Sequence, residues 1–195
     1  FAPVDITMDL MQNTRIDPAR IQRIDVATYA TALDAAGITQ PGSAFEAKFS
    51  IPFGVAATLL GHDLTVPTSF ERFHADRDIR RLISKVHVAI DDDITAAFPR
   101  LRGARVTIRM DDGTERTGSA ETRKGEPTNP LSPGDIEQKF RRLVGITAHA
   151  ELIDEWMSWV KLLAGGAALT PNTLPRARQT ASEGSTKQCR SAFHR

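Results

Sequence analysis

The sequence predicts an α+β domain with a mostly antiparallel sheet of about four strands and helices packed on one face. Three observations carry this expectation. Residues 86–90 and 104–110 alternate apolar with polar or small side chains, the period-two signature of strands with one covered face. Asp112-Gly113 follows the second run at once and is a strong hairpin signal, so the next strand should return antiparallel. The remaining runs have helical period, and the order α-β-α-α-β-β-β-α-α gathers the later strands together instead of alternating them with helices.

Residues 2–13 have Val4, Met8 and Met11 on one helical face. Asp17-Pro18 is a turn in which Asp17 caps and Pro18 takes the first helical position. From Arg23 to Ala30 the period is two, with Ile24, Val26 and Thr28 on one face. Gly37 to Ala44 reads as a loop. A helix then starts at Pro52, whose fixed φ and missing N–H suit a first turn. Phe53, Ala56, Ala57 and Leu60 form its apolar face, and Gly61 supplies a left-handed stop. Two short helical pieces, broken near Asp76-Arg77, precede the strand at Val86–Ile90.

The run Ala104–Met110 is the clearest strand. Its partner at residues 115–122 is almost wholly polar or small, as an edge strand or one covered by another domain would be. Ser132-Pro133-Gly134-Asp135 combines a Ser cap, a proline and an acid three residues on, and so starts a helix. A last helix over residues 148–163 carries Leu152, Trp156, Trp159, Val160 and Leu163 on one stripe, read as packing.

With 41% hydrophobic and 25% charged residues in 195, the chain can bury a core of ordinary size. We expect a domain over residues 1–164 and a disordered basic tail over 165–195, where Pro, Ser, Thr and Gln replace periodicity. The tail holds five Lys/Arg against one acid, leaving the folded part mildly acidic. A net charge of +1, with Phe193 the single aromatic residue of the basic tail, argues against nucleic-acid binding. No apolar run approaches the ~18 residues that span a bilayer, which argues against a membrane partner. Cys189 is the single cysteine, so an intrachain disulfide is excluded, in keeping with a cytoplasmic location. The chain opens on Phe1 directly in helical patterning and reads as cut at its N-terminus.

Few residues present themselves for chemistry. The helix start places Lys48 and Ser50 beside unpaired N–H groups and a positive dipole end, a setting that suits a carboxylate or phosphate. Read blandly, they are a solvated loop cation and an ordinary cap. Asp91-Asp92-Asp93 lacks His, Glu or Gly at ligand spacing and reads as a solvated turn, not a metal site. His62, His74, His87 and His149 have no Ser, Cys or carboxylate at useful spacing, and none is assigned a catalytic role. In Lys124–Leu131, Gly125 permits unusual backbone angles, two prolines stiffen the loop, and Asn129 can bond its own backbone.

Two stretches, "EAKFSIPFGVAATLL" at 46–60 and "KGEPTNPLSPGDIEQKFRRL" at 124–143, resemble the C-terminal domain of the MmgE/PrpD family of 2-methylcitrate dehydratases, cis-aconitate decarboxylases and iminodisuccinate epimerases. The resemblance runs over roughly residues 1–145. It implies a cytoplasmic, dimeric lyase or isomerase of the kind found in propionate metabolism, acting on small di- or tricarboxylates without a metal or organic cofactor. It further implies a site shared with an N-terminal helical domain, absent from this chain, which holds most of the acid/base residues.

In the C-terminal domain the resemblance points to two places. One is a Lys-x-x-Pro…His segment whose His aligns with Phe1. The other is a Tyr after Ser-x-Pro, which aligns with Phe53. Both departures remove a polar group, so no catalytic residue is assigned and the isolated chain is expected to be inactive. Lys48, Ser50, Phe53 and Lys124 are the expected substrate-binding residues. The alternative expectation is a non-catalytic dimerisation or carboxylate-binding module.

Overall fold

The computed structural model describes residues 1–146 and 152–166. The expected disordered stretch lies almost entirely outside them, as do His149 and Cys189. The chain divides into two compact units, Phe1–Lys139 and Phe140–Arg195.

The first unit is α+β. Its sheet is built from β1 (Ile21–Thr28), β2 (Val86–Ile90), β3 (Ala104–Met110) and β4 (Glu115–Ala120), in the order β2-β1-β3-β4. β3 pairs antiparallel with both β1 and β4, but β1 and β2 are parallel. The sheet is therefore mixed, which corrects the expectation of a mostly antiparallel one. Parallel neighbours require a crossover. Here it consists of α2 (Ala30–Ala36), α3 (Ala44–Ala47), α4 (Ile51–Leu59), α5 (Thr68–Phe73) and α6 (Arg77–Ile83). The hairpin between β3 and β4 is as expected, with Gly113 at φ +81° and the Met110 N–H donating to the Thr114 carbonyl.

One face of the sheet is covered. Ile24, Val26, Val106 and Ile108 are wholly buried beneath α1 (Ala2–Asn13) and α4. Arg105 and Arg109, the alternate residues of β3, are exposed on the other face. α1 crosses β4 closely enough that a Cβ at Gly118 would lie 2.8 Å from Ile6 Cγ2, so a glycine is required there.

Every residue of α4 from Ile51 to Leu59 is buried, where one apolar face had been expected. Its small residues let α1, α6 and β2 close around it, so no side faces water. Ser50 is the cap and Ile51 the first helical residue, which moves Pro52 to the second position. At the far end Gly61 has φ +78°, its N–H donates to Thr58 and that of His62 to Ala57, as a Schellman stop requires.

Three short helices lie where none was expected, α3 on the approach to α4 being one of them. α2 occupies Ala30–Ala36, and α7 (Asp92–Ala97) takes up the acidic triplet, with Asp91 accepting from the Asp93 and Ile94 N–H groups at 3.1 Å each. The triplet is thus a helix cap rather than a solvated turn. α8 (Pro133–Gly145) starts at the predicted Ser132 cap. In the second unit, α9 (Ile153–Ala164) sets Trp156 with its ring centroid 6.3 Å from that of Phe140, and Asp154 pairs with Arg141 at 2.8 Å.

Candidate functional site

The start of α4 is assembled from core residues. Ser50 is wholly buried, and its Oγ accepts from the Phe53 N–H at 3.1 Å. That bond satisfies one of the donors a helix start leaves open. Ser50 therefore acts as a cap. Phe53 is also wholly buried, and its ring stacks on Phe70 at a centroid distance of 5.7 Å. Lys48 is exposed, with Nζ 5.9 Å from the centroid of the same Phe70 ring. Phe70, which sequence reasoning did not single out, thus ties the cation at the surface to the buried aromatic. Its signal was an aromatic pair, Phe70 and Phe73, at helical spacing.

Lys124 is held from two sides. Its backbone N–H donates to Asp5 Oδ2 at 3.0 Å, one turn into α1, and its Nζ lies 3.8 Å from Asp135 Oδ2. Asp135 closes the capping box of α8, accepting from the Ser132 hydroxyl at 2.8 Å and the Ser132 N–H at 3.0 Å. The hydroxyl bond, then the backbone bond, hold its carboxyl below the ordinary carboxylate value, with the Lys124 charge adding to them. Within the loop Gly125 has φ +95°, and the backbone N–H groups of Gly125 and Asn129 donate to the carbonyls of Asn129 and Glu126. Glu126 in turn takes a 2.6 Å bond from Arg123. Asn129 serves through its main chain, not through its side chain as expected.

These two places meet through α1. A Cβ on Gly54, in the first turn of α4, would lie 2.9 Å from Val4 Cγ2, in the first turn of α1. Asp5 follows Val4, and Phe1, half exposed, opens the same turn. The structure therefore brings the start of α1, the start of α4 and the Lys124 backbone to one region. Asp5 is the residue that sequence reasoning missed here. An acid in the first turn of α1 was the available signal, but its partner lies 119 positions away.

Chemically the two helix starts and the loop offer two exposed ammonium groups, Lys48 beside the Phe70 ring and Lys124 beside Asp135. Such an arrangement can attract and orient carboxylates. Among the described residues, three histidines are otherwise engaged. His62 stacks on Phe73 at 3.8 Å, His74 Nδ1 lies 3.2 Å from the Phe70 carbonyl, and His87 sits opposite Asp25 in the sheet. Among the described residues no three His, Cys, Asp or Glu side chains cluster as metal ligands, and no helix is long and apolar enough to cross a membrane. Beside this region, Phe45 and Phe49 stand exposed with ring centroids 5.1 Å apart, and with Leu33 and Ile38 they line an open cleft of about 470 Å³.

Two comparisons bear on this arrangement. The human protein named cis-aconitate decarboxylase is 34% identical over 102 residues, 52% of this chain and 21% of its own length. The mouse protein of the same name gives 34% over 102 residues, 52% of this chain and 20% of its own length. The chain thus matches about a fifth of the length of these relatives. The family model of the MmgE/PrpD C-terminal domain matches residues 1–157, which takes in α1, both helix starts and the Lys124 loop, and the chain belongs to that family.

Proposed function

We propose that this chain is the C-terminal domain of a lyase or isomerase acting on small di- or tricarboxylates. The joined starts of α1 and α4, with the Lys124 loop, would form one wall of its cleft. The single observation that carries this reading is that Val4 and Gly54 interlock, so that Lys124, clasped by Asp5, lies near the helix whose first turn carries Phe53 and whose approach carries Lys48. In this reading the two ammonium groups bind substrate carboxylates, and the 3.8 Å contact between Lys124 and exposed Asp135 is loose enough for a substrate to displace. Phe53 and Phe70 keep the floor dry.

Proton transfer is assigned to a helical domain outside these 195 residues, because Phe1 and Phe53 occupy the positions where the family resemblance implies a His and a Tyr. The chemistry is taken to need no metal or organic cofactor, and the complete enzyme to be cytoplasmic and dimeric. Combining the chain with such a helical domain tests the wall directly. Lys48→Ala and Lys124→Ala should each raise KM for cis-aconitate or 2-methylcitrate by about tenfold, the loss of one charge-assisted bond. Unchanged KM in both variants would remove these residues from the cleft.

A second reading rests on Phe45 and Phe49, whose exposure is what an interaction surface shows. There the chain is a non-catalytic binding or dimerisation module. Sedimentation over a range of concentrations separates the two readings: Phe45→Ser should abolish self-association if that reading holds, and a chain that stays monomeric throughout gives it no support.

A further inference from the structure

The face of the sheet turned away from α1 and α4 carries a hollow lined by residues of β1, β2 and β3. At its edge Arg23 of β1 stands directly opposite Arg109 of β3, with Asp25 2.7 Å from Arg23 and 4.0 Å from Arg109, and Arg109 also paired with Glu115 at 2.8 Å. Ala27 of β1 stands directly opposite Ala89 of β2, where β-branched or aromatic residues would pack better. The alanines leave a floor, and Arg23, Asp25, His87 and Arg105 rise around it to enclose about 270 Å³, with Thr107 also in the lining. An alanine pair where bulkier residues would pack better is a local departure of the kind expected at functional sites.

The donors in the hollow are only partly used. Arg105 bonds Asp91 through Nη2 at 2.6 Å, and Arg23 bonds Asp25 through Nε at 2.8 Å and Nη2 at 2.7 Å. Each guanidinium carries five N–H groups, so Arg105 keeps Nε and Nη1, and Arg23 keeps Nη1, for another acceptor. The His87 ring has no hydrogen-bond partner among the described residues, though it adds to the field around Asp25. Asp25, already bonded by Arg23 and 4.0 Å from Arg109, sets one side of the hollow, and Arg105 lines it as well.

We propose that this hollow binds a small oxyanion, a phosphate or a short carboxylate, held by Arg105, Arg23 and His87 over the Ala27/Ala89 floor. It lies on the opposite face of the sheet from α1 and α4 and does not depend on the functional reading above. The chain's net charge of only +1 makes bulk attraction of anions a poor substitute for such a site.

The test is titration of the full 195-residue chain with inorganic phosphate and, separately, succinate, at ionic strength matched with sodium chloride, following backbone amides by NMR. At least one anion should give saturable shifts centred on residues 23–27, 87–89 and 105–107, which also tells phosphate from carboxylate chemistry. Arg105→Gln should weaken binding about tenfold or more, the loss of a charge-assisted bond. Ala89→Leu, which fills the floor at an exposed position and touches no charge, should weaken it as much. No saturable shift with either anion would overturn the proposal. So would binding that survives both variants, or binding lost instead in Lys124→Ala, which would place the anion at the α1/α4 wall.

Discussion

The two stretches that carry the family resemblance sit in opposite physical regimes. Residues 50–59 are core: buried on all sides, capped at both ends, with Ser50 and Phe53 shielded from water. The Lys124 loop is surface: its lysine is exposed, and single bonds to Asp5 and Asp135 hold it. One stretch supplies rigidity and the other a charge that can move. The proposed wall would use both, from segments about seventy positions apart that meet at the first turn of α1.

That contrast is sharpest under truncation. Phe53→Ala should destabilise the chain by about 3–5 kcal/mol, through the lost transfer energy and the cavity left against Phe70. Lys124→Ala should change stability by about 0.5 kcal/mol or less. Urea unfolding of both variants measures the gap, and equal effects would break the comparison. Restoring the phenol is a finer probe. Phe53→Tyr places a hydroxyl at a wholly buried position and should cost about 1–3 kcal/mol unless it finds a partner. A neutral result would mean that the floor opens to water or to a ligand.

Smaller effects separate the two regimes at their edges. Ser50→Ala removes a buried cap and should cost about 1–2 kcal/mol by thermal or urea unfolding. On the loop side, the Asp135 carboxyl is depressed by its Ser132 bonds. Its contribution is therefore complete above the ordinary carboxylate value near pH 4 and is lost as pH falls through the lower folded value. Stability measured between pH 6 and pH 2.5 should fall less steeply below about pH 4 in Asp135→Asn than in the unaltered chain. An identical acid slope would show that the capping box contributes nothing.

Much of this was legible because the signals are local. α1, β2, β3, the Asp112-Gly113 hairpin, the edge strand β4 and the Ser132 cap each follow from a few adjacent residues. What escaped was either too weakly patterned or too distant. α2 and α7 are as short as α5 and α6, but they are rich in alanine and lack the set of large apolar side chains that marks a buried face. The parallel pairing of β1 with β2 spans five intervening helices, and nothing in either strand specifies its direction. The all-round burial of α4 was hidden by its small residues, since alanine and glycine do not reveal which side faces a neighbour.

The candidate site divides the same way. Lys48, Ser50, Phe53 and Lys124 are candidates named from motif and resemblance. Phe70 and Asp5, which tie them into place, are visible only once the chain is folded. The division of labour between this domain and a helical partner is the central claim, and turnover measures it most directly. The purified 195-residue chain, incubated with cis-aconitate and with 2-methylcitrate, should give neither decarboxylation nor dehydration. Sustained turnover of either acid by the chain alone would contradict the account.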